Sequence, residues 1–392
     1  MFGKKNPFRT KSIVFNLFIN SETSFTIMIH NNYGFTMKKN PNISYSERMI
    51  FQAFMLAEQV LGKRIFTVIN PFKIAFLKRL DKKFFALTPP EVSFIESRSN
   101  LTPQDFKKEY FSRSQPVIFK AEARDWVCCQ KWDLDYFKLG YGENDLLLVN
   151  ANGLTSREDH SHYEFLTVRE LVENIKAGGD KYLRFSPLLE NNPTLVQDLN
   201  MSWLQSMRGI KTFANTYYMF MGGKGQKTLL HTDQPCNLYI QVYGEKKWTL
   251  YSPKDSLLIY PIISNTAYIK SPVDVDKPDY KKYPLFKHAH SHIAHLFPGD
   301  VLYVPPHTWH FVENLTDTIA VGYRYSSFKA SLKSSFTMTL LRVLSTNPPI
   351  WKTMKYGKVD TNLIWAHTGG VIKELLNDFA AREKGKNHYG KK

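Results

Sequence analysis

The stretch from residue 216 to 325 constrains the fold more than any other part of the chain. It runs as short aromatic and β-branched segments, "TYYMFMGGKGQKT", "NLYIQVYGEKKWTLYSP", "HIAHLFPGDVLYVPP" and "TIAVGYRY", each cut off by Gly or Pro. Side chains of this kind suit a pleated, half-buried surface, and Gly and Pro end such a surface within a few residues. Many short strands at regular spacing imply a sandwich or a barrel. The flanks read differently. "SERMIFQAFMLAEQVLGK" from Ser46 carries apolar residues at helical spacing with Gly62 as a stop, and "NPFKIAFLKRLDKKFF" offers Asn70 as an N-cap and Pro71 at the first helical position. "LKSSFTMTLLRVLS" and "GGVIKELLNDFAAREKGK" predict helices after Ser327.

Between these regions, "QPVIFKAEARDW" predicts a strand and turn, and "ENDLLLVNANG" a strand closed by Asn-Gly. "TVRELVENIKAGGDKYLRF" predicts a helix ended by Gly178 and Gly179, then another strand. No 18-residue apolar run lacks charge, so no membrane-spanning helix is expected. The basic opening lacks a small-residue cleavage site, which argues against a secretory signal. Three cysteines, two of them the adjacent Cys128 and Cys129, form neither a disulfide framework nor a cysteine zinc site. Their pattern fits a reducing compartment, and an intracellular, cytoplasmic location is expected.

Charge is unevenly spread. The net +17 includes +10 in the first 90 residues, which hold 14 Lys/Arg against 4 Asp/Glu. An anionic membrane or nucleic acid is therefore an expected partner of the N-terminal region. The basic amphipathic segment at 70–85 suits either a membrane surface or the cover of a core, and packing against the main domain is the favoured role.

His231 and Asp233, one residue apart in "TLLHTDQPCNLYIQVYGEKKWTLYSP", converge on one face if the chain there is extended. The similar pair His162 and Glu164 stands at the start of a helical pattern, "HYEFLTVRELVENIK", where such spacing does not bring side chains together, and it reads as surface. The cluster "HAHSHIAH" reads as a solvated loop leading into a strand rather than a second metal site. A third ligand is sought on another strand, and "FPGDVLYVPPHTWHFVENL" offers His307 or His310 after a stiff Pro305-Pro306 exit. Two imidazoles and one carboxylate on one face of a metal leave positions open for a bidentate cosubstrate and dioxygen, the arrangement of non-heme Fe(II) oxygenases.

"HTDQPCNLYIQVYGEKKW" together with "FPGDVLYVPPHTWHFV" resembles the JmjC (cupin-like) family of Fe(II)- and 2-oxoglutarate-dependent oxygenases, nearest the small hydroxylase branch that includes the asparaginyl hydroxylase inhibiting hypoxia-inducible factor. The similarity extends over about residues 110–325, from "PVIFKAEARDW" through the helix before "DKYLRF". It implies a mainly β chain with a double-stranded β-helix (jelly roll) core and flanking N- and C-terminal helices. It implies His231, Asp233 and His310 as iron ligands, His310 rather than His307 because the ligand follows Trp in "PPxxWH". It implies Lys246, fifteen residues after His231, as the partner of the distal carboxylate of 2-oxoglutarate, Thr228 as a hydrogen-bond donor to it, and Asn237 as a polar pocket residue. A buried carboxylate needs such partners.

Two departures stand out. Gly322 occupies the place of an asparagine in the last core strand of the asparaginyl hydroxylase, and "DLLLVN" lacks the upstream tyrosine that some relatives set on the cosubstrate. The expected organisation is a poorly ordered leader at 1–45, a basic helical segment and linker at 46–95, a JmjC/cupin-like catalytic domain at 96–327 and a helical extension at 328–392. The expected cofactors are Fe(II), 2-oxoglutarate and dioxygen, with succinate and CO2 released. The expected substrate is a protein or peptide side chain undergoing hydroxylation, and self-association into a homo-oligomer is a further expectation. N-methyl demethylation, RNA hydroxylation, a non-catalytic cupin-like binding protein and a metal-dependent isomerase or hydrolase are the rivals.

Overall fold

The computed structural model describes residues 37, 39–149, 163–186, 188–209, 211–263 and 269–345. Residues 1–36 and 38 of the expected leader and everything beyond Ser345, including the helix expected from "GGVIKELLNDFAAREKGK", lie outside the described residues; of the leader's remainder, Met37, Asn40 and Ile43 are buried rather than poorly ordered. Strands, numbered in chain order, begin with β1 (Ser93–Phe94), β2 (Ser97–Arg98), β3 (Val117–Phe119), β4 (Asp145–Val149), β5 (Tyr163–Thr167) and β6 (Tyr182–Ser186). They continue with β7 (Phe213–Gly222), β8 (Lys227–Thr232), β9 (Cys236–Tyr243), β10 (Lys246–Tyr251) and β11 (Ile269–Lys270). The last are β12 (His292–Leu296), β13 (Val301–Val304), β14 (Trp309–Asn314) and β15 (Thr318–Ser326).

Two sheets hold thirteen of these strands. One has the order β1-β12-β10-β14-β8-β11 and the other β2-β3-β13-β9-β15-β7-β6, while β4 and β5 pair separately. From β7 to β10 and again from β12 to β15 each successive strand changes sheet, except that β12 follows β10 and β11 in the first sheet. That alternation is the jelly-roll path that the sequence texture and the resemblance imply. Between the sheets lies a core of Tyr218, Phe220, Tyr239, Trp248, Leu250, Leu302, Val304 and Val312.

Both sheets are also covered on their outer faces. Leu171, Val172 and Ile175 of the helix Val168–Lys176 join the layer over β9, β13 and β15. Phe51 and Met55 of α1 (Tyr45–Phe66), with Phe76, Leu80 and Phe84 of α2 (Asn70–Phe84), cover Leu230, Trp309 and Phe311. Double coverage explains why β13 and β15 are buried at every residue rather than at alternate ones.

Several local expectations shift. At Gly62 the backbone leaves the helical region, with a φ of 69° and a ψ of 167°, so the first helical stretch of α1 stops there as expected and a second, short one follows the kink to Phe66. Ile69 rather than Asn70 flanks α2, with no side-chain cap, because the short link from α1 already has helical backbone there. Glu164 lies on β5, not at a helix start, and its carboxylate pairs with the Lys181 ammonium. His162 lies outside the described residues.

Candidate active site

His231 ends the inward-facing side of β8, and Asp233 follows in the turn that leads into β9. His310 opens β14 directly opposite His231. One potential ligand atom from each of these three residues lies within 4.8 Å of the others. The Asp233 Oδ2 is 3.8 Å from His231 Nε2 and 4.0 Å from His310 Nε2. The imidazole rings stand 4.1 Å apart between centroids.

The orientation of both rings follows from their hydrogen bonds. His231 Nδ1 is 2.7 Å from the Leu229 carbonyl and His310 Nδ1 is 2.9 Å from the Thr308 carbonyl. A carbonyl only accepts, so each Nδ1 carries the proton and each Nε2 keeps a lone pair directed to the centre. Burial, followed by the neighbouring His231, pushes His310 down to about 3, so its ring is neutral at ordinary pH. Burial alone would raise the Asp233 carboxyl, but the Arg324 guanidinium beside it outweighs burial and holds the group well below the usual carboxylate range. Two imidazoles that turn Nε2 to the centre and one carboxylate form a donor set suited to a divalent first-row metal.

The turn between β13 and β14 is tied to this centre. The His307 amide donates to the Asp233 carbonyl at 2.7 Å, which fixes the loop carrying His310 against the end of β8. The His307 side chain turns away, its Nε2 lying 3.0 Å from Thr339 Oγ1. His310, and not His307, therefore joins the cluster.

A bulge sets the remaining geometry. The pairing of β8 with β14 runs His231 opposite His310, then Thr228 opposite Val312, so β8 spends three residues where β14 spends two. The extra residue turns both Thr228 and His231 to the interior, although strict alternation would put residues three apart on opposite faces. The odd spacing in "TLLH" reads as a face conflict until the partner strand is known.

Lys246 starts β10, opposite Asn314, while Leu250 lies opposite His310. Its Cα is thus four residues, about 13 Å, along the strand from the row of imidazoles. The ammonium is fully buried. It donates to Tyr182 Oη at 3.0 Å and sits 5.1, 5.6 and 5.5 Å from the ring centres of Tyr182, Phe220 and Tyr239. Burial lowers its pKa, the tyrosine partly offsets this, and nearby Arg184 adds to the lowering.

Tyr182 is the residue that sequence reasoning missed. "DLLLVN" has no tyrosine, but "DKYLRF" supplies one from β6. Its ring crosses Gly222, where a Cβ would stand 2.4 Å from Tyr182 Cδ2, so that glycine leaves the room the ring needs. Thr228 and Asn237 are both buried, and the Asn237 Oδ1 has no hydrogen-bond partner among the described residues. Gly322 lies beside it. A Cβ there would come within 3.2 Å of both Asn237 Oδ1 and Phe220 Cε2, so the glycine makes space for these neighbours.

Arg324, two residues further along β15, was not anticipated either. It is buried, and its Nη2 donates to Asp233 Oδ2 at 2.7 Å.

The "Cupin-like domain" family matches residues 103–331. Among curated proteins, the chain is 26% identical over 226 residues to "Lysine-specific demethylase 8" of Xenopus tropicalis, covering 57% of this chain and 51% of the relative. It is 28% identical over 236 residues to "JmjC domain-containing protein D" of Dictyostelium discoideum, covering 55% and 53%. It is 36% identical over 244 residues to "HSPB1-associated protein 1" of Homo sapiens, covering 56% and 49%. The chain thus spans about half the length of these relatives. They support the resemblance at the level of the family and not the narrower likeness to the asparaginyl hydroxylase branch.

Proposed function

The chain belongs to the cupin-like JmjC domain family, and on that premise we propose that it is an Fe(II)- and 2-oxoglutarate-dependent dioxygenase that hydroxylates a protein side chain. The observation that carries this reading is the convergence of His231, Asp233 and His310, with a fully buried lysine amine on the same interior wall. Their Nε2, Oδ2 and Nε2 atoms would hold the iron. Iron with 2-oxoglutarate and dioxygen supplies the oxidation, releasing succinate and CO2 and leaving one oxygen atom on a substrate C–H position.

The residues around this centre bind, orient and exclude water. Lys246 has three donors and gives one to Tyr182, so an anion is the partner that its buried charge calls for. The distal carboxylate of 2-oxoglutarate meets that need, with Thr228 as a second donor and Asn237 as a polar neighbour. Phe220, Tyr239 and Trp248 wall the interior against water, which strengthens each of these charge interactions. The test is to incubate the Fe(II)-loaded protein with 2-oxoglutarate and follow succinate. Turnover no greater than that of a His231→Ala control, with or without a broad peptide mixture, sinks the oxygenase reading in favour of a non-catalytic binding protein.

A second outcome on the same centre is N-methyl demethylation, favoured by the name of the relative "Lysine-specific demethylase 8". Formaldehyde accompanying succinate would distinguish it from hydroxylation, which leaves a product heavier by one oxygen. For the N-terminal region, α2 buries Phe76, Leu80 and Phe84 but leaves Phe72 69% exposed, and neighbouring Val68 is 73% exposed. With Lys78, Arg79 and Lys82 close by, an anionic lipid surface is the proposed contact. Unchanged sedimentation with anionic vesicles after Phe72→Ser and Val68→Ser would rule it out. Among the described residues no helix is long and apolar enough to cross a membrane.

A further inference from the structure

Arg324 has a position that the oxygenase reading does not use. Its Nη2 bonds to Oδ2 of Asp233, the same oxygen that faces the Nε2 atoms of His231 and His310. The side chain is 3% exposed, with its guanidinium 4.6 Å from the ring centre of Phe185 and 5.7 Å from that of Tyr218. The Phe185 ring is brought under it by a register slip in β6, where Phe185 adopts a φ of 55°. Among the described residues, Nε and Nη1 of Arg324 are buried without hydrogen-bond partners. Asp233 is therefore the group on which this fixed charge is anchored, and a guanidinium does not shed its proton to relieve the arrangement.

Asp233 Oδ2 stands 2.7 Å from Arg324 Nη2 and 3.8 and 4.0 Å from the two imidazole nitrogens, so the carboxylate oxygen that faces both imidazoles already accepts a charge-assisted hydrogen bond. A divalent ion bound to that oxygen would share it with a like charge in a dry interior, where repulsion is strong.

We propose that Arg324 competes with the metal ion for Asp233 Oδ2 and so sets the metal affinity of the centre, acting as a positioning residue. The inference rests on the metal-binding reading above. It predicts a centre that takes its ion weakly and tightens when the guanidinium is removed.

The experiment titrates the full chain with Co(II) without oxygen, following the visible ligand-field band and, separately, the heat of binding. Arg324→Gln is expected to bind Co(II) at least about tenfold more tightly than wild type, since the ion no longer displaces a charge-assisted hydrogen bond. Arg324→Met, which keeps an apolar stem of similar length on Phe185, is expected to do the same and serves if the glutamine variant folds poorly. In the absence of added Co(II), both variants should melt below wild type, because Asp233 loses its counter-charge. Equal or weaker Co(II) binding by the variants overturns the proposal and makes Arg324 a support for the ligand. A wild-type band that does not depend on His231, tested with His231→Ala, overturns the metal reading itself.

Discussion

At the scale of single residues, the pairing of Lys246 with Tyr182 has the clearest chemical consequence. Replacing Tyr182 by Phe removes one hydrogen bond to a charged group, worth about 1.5–3 kcal/mol. A rise of roughly tenfold or more in KM for 2-oxoglutarate is expected, with Co(II) affinity unchanged because the imidazoles are not touched. Gly222→Ala should mimic it without altering either polar group, since the added methyl meets the Tyr182 ring at 2.4 Å and forces it off its line to Lys246. An unchanged KM in both variants would separate Tyr182 from the cosubstrate. Both contacts bring together residues distant in sequence, Tyr182 with Lys246 and Arg324 with Asp233, and no local pattern marks them. His231 and Asp233 were legible from a short spacing, and the Pro-bounded turn narrowed the third position to His307 or His310; the choice of His310 came from the family resemblance. The shared face of Thr228 and His231 was not legible without β14, since a bulge exists only between two strands.

At the scale of elements, α2 is attached to the six-stranded sheet by its buried face. Leu80→Ala should cost about 2–5 kcal/mol of stability, read from denaturant unfolding, and leave Co(II) affinity unmoved, because Leu80 packs on the outer side of the sheet that carries the imidazoles. The amphipathic pattern showed that face in part: Phe76 and Leu80 are buried, whereas Phe72 and Ile74 of the same apolar set are exposed, and the start of the helix depended on how α1 turns into α2. Asp255 joins the segment before α1 to the domain, accepting from the Asn40 amide at 2.7 Å and from Arg48 at 3.3 Å. Burial outweighs both donors and pushes its carboxyl up to about 6 from an ordinary 3.8. The folded state therefore keeps a proton between about pH 4 and 6 that the unfolded chain releases. This contribution to stability is complete below about pH 4 and is lost as pH rises through 6. In Asp255→Asn the melting temperature should change less between pH 4 and 7 than in wild type; an identical profile would show that this carboxyl is not the group responsible.

At the scale of the whole molecule, an ion held by residues from two separated stretches couples binding to folding. Saturating Co(II) should raise the melting temperature by a few degrees, consistent with a gain of about 2.7 kcal/mol when free ion exceeds Kd a hundredfold. His231→Ala should show no such rise. The jelly roll itself was readable from residues 216–325, since Gly and Pro cut that region into strand-length pieces whatever their partners. The strand order was not, because it joins pieces far apart along the chain. β15 is the sharpest case: it lies between β9 and β7 and pairs with both along nearly its full length. On the ribosome, β7 and β9 must therefore wait with open edges until residue 326 has emerged, although all three candidate ligand side chains have by then been made. A nascent chain halted before β15 would carry His231, Asp233 and His310 on an unfinished sheet, ready to pair with a neighbour.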